Sequence, residues 1–322
     1  MGAPSVPNTY PLEIAPPDIS AYAPGNAGIP YVWQFDGPEP GPDALITAVV
    51  HGNEPCGAVA LDWLLARGFR PARGRLTLAF ANIAAYEAFD PADPNASRWV
   101  DEDFNRVWSS EVLDGPRRSV ELERARALRP VVAAADYLLD IHSMQHVAPP
   151  LAMSGPLAKG RALAEAVGLP ERVVADRGHA AGLRMRDHGA LGDPARAAAA
   201  LLLECGQHWE AGAASLAKRA AARFLAALRM AGPDLEASLE EPAPPAAPQA
   251  AFEVTDVVTI ETEAFRFARP LTGGEIIPEA GTLIAHDGPR EIRTPYADCM
   301  AVMPSLRLIP GLTAVRLARR LS

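Results

Sequence analysis

Residues 44–68 read ALITAVVHGNEPCGAVALDWLLARG. The run at 44–50, apolar but for Thr47, has the length of a buried strand, and residues 55–68, with proline near the first turn and glycine at the end, have the pattern of a helix. Residues 74–82 (GRLTLAFAN) follow as a second apolar run of strand length. A strand, helix, strand order with short links calls for a parallel sheet with right-handed crossovers. The junction His51-Gly52-Asn53-Glu54 then sits at the carboxyl end of a strand, where open α/β sheets hold their ligands. An imidazole nitrogen and a carboxylate oxygen three residues apart suit Zn²⁺, which needs one or two further ligands from elsewhere. Alone the H-x-x-E spacing is weak, since a histidine capping a helix and a glutamate favoured by the helix dipole would look the same.

Composition sets outer limits. The 322 residues are long enough for one large domain and a smaller one, and 49% hydrophobic with 21% charged residues is ordinary for a globular chain. A formal charge of −9 and an isoelectric point near 5.3 argue against nucleic acid or anionic membrane as a partner, because no basic stripe is present. No apolar stretch reaches membrane-spanning length and the N-terminal residues lack a signal-peptide pattern, so the expected location is cytoplasmic. The three cysteines, Cys56, Cys205 and Cys299, are far apart and imply no disulfide framework; packed thiols are the expected role.

Residues 1–43 are rich in proline and glycine, with one strand at 29–35, and are expected to wrap the domain edge. Beyond the second strand, residues 83–108 form a long irregular segment, and such segments inside compact domains are more often functional than idle. It carries Arg98-x-x-Asp101-x-Asp103-x-Asn105-Arg106-x-Trp108. Guanidinium groups there could grip a carboxylate bidentately or stabilise an oxyanion. Residues 119–135 read as a helix with Ser119 as N-cap and Pro130 as a kink or break. Residues 136–143 read as a strand that places Asp140 and His142 on one face, where the carboxylate can orient an imidazole. Further strands are expected at 149–155, 172–175 and 197–203, and helices at 156–169 and 209–230. The last of these strands delivers Glu204-Cys205-Gly206-Gln207-His208. A lone glutamate closing an apolar strand is costly to bury, and burial raises its pKa toward the range useful to a general base. His179 and His188 lie in a loop of uncertain role as extra-ligand candidates.

Taken together, His51-Gly52-Asn53-Glu54, the Arg98 to Trp108 pattern, Asp140-x-His142 and Glu204-x-Gly206 stand in the order and approximate spacing of the succinylglutamate desuccinylase and aspartoacylase family, which this chain resembles over roughly residues 44–230. That family is similar to the zinc carboxypeptidases in its catalytic domain. The resemblance implies an α/β fold with a mixed, mostly parallel sheet flanked by helices. It makes His51, Glu54 and His142 the ligands of one Zn²⁺ per chain, with Asp140 behind them. It makes Glu204 the general base, Arg98 the group that polarises the scissile carbonyl, and Asn105 with Arg106 the binders of a substrate carboxylate. One departure is Asn82-Ile83, where relatives often read Asn-Pro.

Residues 232–250 are rich in proline, alanine and acid, which suits a stiff, extended linker between a catalytic domain at 1–231 and a second domain at 251–322. From residue 252 the pattern changes to short β-like runs separated by Gly-Gly, Asp-Gly and Pro turns. Residues 273–303 look like a barrel-sandwich fold of the biotinyl and lipoyl type, but contain no lysine to carry a prosthetic group. In the resembling family such an all-β domain narrows the active site. His286 and Tyr296 are expected in turn or core roles more than against substrate. The function expected is zinc-dependent hydrolysis of the amide, or a related ester, of a small N-acyl amino acid or similar carboxylate, with homo-oligomerisation left open. A metallocarboxypeptidase acting on peptides, or a metal- or carboxylate-binding relative without turnover, are the alternatives.

Overall fold

The computed structural model describes residues 9–178, 181–239 and 247–321. In the first part of the chain the strands are β1 (Val32–Asp36), β2 (Glu39–Ala48), β3 (Arg73–Phe80), β4 (Tyr137–Met144), β5 (Leu151–Met153), β6 (Arg172–Ala175) and β7 (Ala199–Gln207). In the last part they are β8 (Ala250–Thr259), β9 (Arg266–Phe267), β10 (Ile276–Ile277), β11 (Leu283–Asp287), β12 (Arg290–Arg293), β13 (Cys299–Val302) and β14 (Thr313–Arg320). Eleven of them form one sheet in the order β1-β3-β2-β4-β7-β5-β6-β8-β14-β13-β10, and β12-β11-β9 form a second, small one.

The centre of the large sheet is parallel: β3, β2, β4 and β7 run together. Antiparallel β1 covers one edge of this group and antiparallel β5 adjoins β7. The expected mixed, mostly parallel α/β sheet is therefore present, with an all-β region at the C-terminal end. Successive side chains of a strand point to opposite faces, and both faces are covered. Ile46 and Ile141 pack with helices Pro55–Ala66 and Ala211–Ala227 on one face, while Leu45 and Leu138 pack with helix Val120–Ala134 on the other.

From β2 the chain crosses to β3 on one side; its later return places β4 on the other side of β2. The two crossover helices lie on opposite faces, so their loops diverge at the carboxyl ends of β2 and β4 and open a crevice there. Strand β2 ends before the apolar run does: Val49 takes a φ of 53°, although it is fully buried and β-branched. That strained turn is fixed from outside, because Asn82 N–H donates to the Val49 carbonyl at 2.9 Å. Helix Val120–Ala134 runs through Pro130, and Ser119 caps it by accepting from Leu122 N–H at 3.0 Å.

Two features depart from the composition-based reading of residues 232–250. Asp234–Ala237 is a helical turn whose Glu236 pairs with Arg223 at 2.9 Å, so this part of the segment is packed rather than extended. Strand β8 then pairs in parallel with β6, making the C-terminal strands a continuation of the large sheet.

Candidate metal and substrate site

The crevice is built by a loop wrapped around one buried carboxylate. Glu121, fully buried in the first turn of helix Val120–Ala134, accepts from the backbone N–H groups of Val100, Asp101 and Glu102 at 2.7, 3.0 and 3.2 Å. Residues 98–106 are thereby held over the ends of β2 and β4. Gly52 lets this loop approach, since a Cβ there would collide with the backbone of Ala85 and Ser97.

His51, Glu54 and His142 converge under the loop, each buried, with one potential ligand atom apiece within 4.8 Å of one another. Glu54 Oε1 stands 2.8 Å from His51 Nδ1, and Oε2 stands 2.9 Å from His142 Nδ1. The other ring nitrogens face carboxylates: His51 Nε2 is 3.0 Å from Asp103 Oδ1, and His142 Nε2 is 3.0 Å from Asp140 Oδ2. Asp140 is itself held by the Thr47 hydroxyl, which donates at 2.7 Å. Each imidazole can therefore donate its Nε2–H to a carboxylate and present a bare Nδ1 to a cation, the arrangement that orients histidine ligands. Two imidazoles and a carboxylate fit a divalent ion with N and O preference and an open position.

In the metal-free cluster the carboxylates and imidazoles stabilise one another's charge. Burial opposes the charge on Glu54, but His51 and His142 more than offset it and hold the carboxyl well below its usual range. Burial likewise opposes charge on His142, and Asp140 and Glu54 drive its pKa well up. On the adjacent strand β7, Glu204 follows the apolar run and lies beside His142 in register. Burial pushes its pKa up to about 8, and its Oε2 has no hydrogen-bond partner. His208 accepts or donates at 2.8 Å with Ser143 Oγ through Nδ1, its buried Nε2 is unpartnered, and burial pushes its pKa down to about 3.

Arg98 reaches the same cluster, donating to Glu54 Oε1 at 3.1 Å and lying 3.7 Å from Asp103 Oδ2. His51, Glu54, Arg98, Ser143, Glu204 and His208 line a cavity of about 440 Å³ whose other wall is C-terminal, from residues 271–273 and 303–307; His142 lies behind this surface. Asn105 and Arg106 do not line it. Asn105 is buried, accepts from Met185 N–H at 2.8 Å, and places Nδ2 3.4 Å from His142 Nε2. Arg106 donates to the Asn105 carbonyl at 2.7 Å and stands 3.8 Å from Asp103 Oδ2.

Several candidates fall elsewhere. His188 is buried with Nδ1 2.7 Å from the Trp108 carbonyl, and His179 lies outside the described residues. Tyr296 pairs with Thr255 Oγ1 at 2.6 Å, His286 sits in β11, and neither lines the cavity. Cys56, Cys205 and Cys299 are buried free thiols. Asp103, Thr47, Glu121 and His208 carry site geometry that the sequence did not assign to them, although Asp103 and His208 lie within the quoted motifs.

A mixed α/β sheet with a His-Glu-His cluster at its switch point defines the chain's class as an α/β protein with a built candidate metal centre. Residues 40–231 match the family model of the succinylglutamate desuccinylase/aspartoacylase catalytic domain, and the chain belongs to that family. No curated protein sequence matches it. Among solved structures it is similar to succinylglutamate desuccinylase from Vibrio parahaemolyticus, with a TM-score of 0.67 at 17% identity over 91% of this chain and 87% of that one. Murine aminoacylase 3 is similar with a TM-score of 0.58 at 19% identity, covering 88% of this chain and 96% of that one. The ectoine utilization protein EutE (DoeB) from Ruegeria pomeroyi, in a product-bound structure, gives 0.59 at 19% identity over 89% and 87%. At these identities the likeness is one of fold. No helix among the described residues is long and apolar enough to cross a membrane.

Proposed function

We propose that the chain is a cytoplasmic, zinc-dependent deacylase that hydrolyses the amide of a small N-acyl amino acid, such as an N-succinyl or N-acetyl amino acid. The observation that carries this reading is Glu204: a buried carboxylate with an unpartnered oxygen, beside a His-Glu-His cluster and lining with His51 and Glu54 a cavity of small-molecule size, about 440 Å³. Family membership and the enzymes named among the similar structures support the same chemistry. In this reading residues 1–231 carry the reaction, 232–250 connect, and 251–322 limit the size of what enters.

His51, Glu54 and His142 would hold the zinc ion, which when bound supplies Lewis-acid polarisation and lowers the pKa of water. Asp140 and Asp103 fix the two imidazoles by accepting their Nε2–H groups. Glu204 takes the proton from the attacking water and delivers it to the leaving amine. Arg98, which donates to Glu54 in the cluster, would turn to the oxyanion that develops on the acyl carbonyl. Asn105 and Arg106 are the proposed binders of a substrate carboxylate near the cluster, which for Arg106 requires its partly exposed guanidinium to turn from Asp103.

The test is metal content by elemental analysis of wild type and His142→Ala, with amine release from a panel of N-succinyl, N-acetyl and N-formyl amino acids. About one zinc per chain, lost in the variant together with amine release, is the expected result. Zinc without release from any of them would remove the deacylase reading, and protein free of zinc when protected from chelators would remove the metal.

A further inference from the structure

Most buried cations of this chain are paired. Arg184 donates to both oxygens of Asp176 at 3.1 and 2.7 Å, Arg186 pairs with Asp187 at 2.5 Å, and Arg316 stands 3.9 Å from Asp176. In the cavity itself Arg98 is tied to Glu54 and Asp103. Arg307, which is only partly buried, has no such partner among the described residues. It belongs to the β13–β14 connection, whose backbone is anchored where Ser305 N–H donates to the Ala314 carbonyl at 2.7 Å and Arg307 N–H donates to Ser305 Oγ at 3.0 Å. Its side chain lines the cavity, its Nε is buried without a partner, and among the described residues no carboxylate pairs with it.

The charges acting on Arg307 sharpen the contrast. Burial pushes its pKa down and the like charge of Arg98 adds to that. Its own charge in turn lowers His146, already depressed by burial, on the adjoining wall. A partly desolvated guanidinium that faces a cavity with no anion beside it is a ready partner for an anion carried by a ligand. A carboxylate matches its fork of donors in two parallel hydrogen bonds. Around it Leu271, Met303 and Leu306 offer apolar wall for a short hydrocarbon spacer.

We propose that Arg307 is a specificity-determining residue that binds a carboxylate of the substrate on the C-terminal wall of the cavity. The proposal rests on the deacylase reading, and it makes the substrate class an acylated amino acid anionic at its outer end. The carboxylate is either the α-carboxylate of the amino acid or the terminal carboxylate of a dicarboxylic acyl group.

The experiment uses the zinc-loaded full chain and Arg307→Gln, with the N-acetyl and N-succinyl derivatives of one amino acid, each as free acid and as α-carboxamide. Loss of a charged hydrogen-bonding partner is expected to raise KM by about 10- to 100-fold with kcat little changed. A rise confined to the two free acids assigns the α-carboxylate, and one confined to the two succinyl compounds assigns the acyl carboxylate. Arg307→Lys should recover part of the loss. An equal change for all four compounds, or none, overturns the proposal. Succinate binding by calorimetry gives a readout independent of turnover: about tenfold or greater weakening in Arg307→Gln is expected, and equal affinity overturns the role. Succinate binding that depends on Arg307, in protein that cleaves no acylated amino acid, would leave this assignment standing while the deacylase reading fell.

Discussion

Asp140→Asn isolates what a carboxylate behind a ligand contributes. Asp140 is fully buried, with one oxygen taking the Thr47 hydroxyl at 2.7 Å and the other 3.0 Å from His142 Nε2. An asparagine of the same shape can keep its carbonyl toward Nε2–H and turn its NH₂ toward Thr47, whose hydroxyl accepts as readily as it donates. The fold and the tautomer of His142 survive, and only the negative charge behind the ring is lost. The ring then becomes a poorer donor to a cation, and outer partners of this kind are worth about 10- to 100-fold in metal affinity. That range corresponds to about 1.4 to 2.7 kcal/mol. Competition between the protein and a chromophoric chelator measures it directly. A zinc dissociation constant within about twofold of wild type, in a variant with unchanged thermal unfolding, would refute the argument that Asp140 acts through His142.

Other expectations follow from the same geometry. Glu204→Gln should retain metal and lose on the order of 100-fold or more in kcat, as removal of a general base requires, which steady-state amine release will show. In metal-stripped protein Glu204 has a pKa of about 8 against an ordinary value of 4.5, so between these values the native chain keeps a proton that the unfolded chain has shed. Wild-type stability should therefore fall as pH rises through that window, and Glu204→Gln should fall less; denaturant melts at either end will test the sign. Asp176→Ala removes the bidentate partner of Arg184, which keeps Asp187, and the counter-charge of Arg316, and should cost about 3 kcal/mol in urea unfolding.

The fold was legible because strands β2, β4 and β7 announce themselves as apolar runs, and because each closes on, or leads straight to, a polar residue that has no place in a core. His51, Glu54, His142 and Glu204 stood out for that reason. The loop geometry was not legible: nothing local in Glu121 says that its carboxylate gathers three backbone N–H groups from about twenty residues upstream. Nor did the sequence show that Asn105 accepts from Met185 N–H and lies beside His142 Nε2. The compositional break at 232–250 was plain, yet the parallel pairing of β8 with β6 was not, since a strand's partner leaves no mark on its own residues. Arg307 carried no signal at all, because its meaning comes from the absence of a neighbour.

Because β6, β8, β14 and β13 belong to the same sheet as β4 and β7, the roof of the cavity is hydrogen-bonded, strand by strand, to its floor. A lid hinged on a flexible joint could close around guests of different sizes; a roof continuous with the floor acts as a sieve of fixed mesh. Turns are the parts of such a frame that can change without disturbing the ladder. The residues at 271–273 and 303–307 are turns of this kind, so a new guest could be admitted by rewriting two short loops while the ion-binding centre stays untouched.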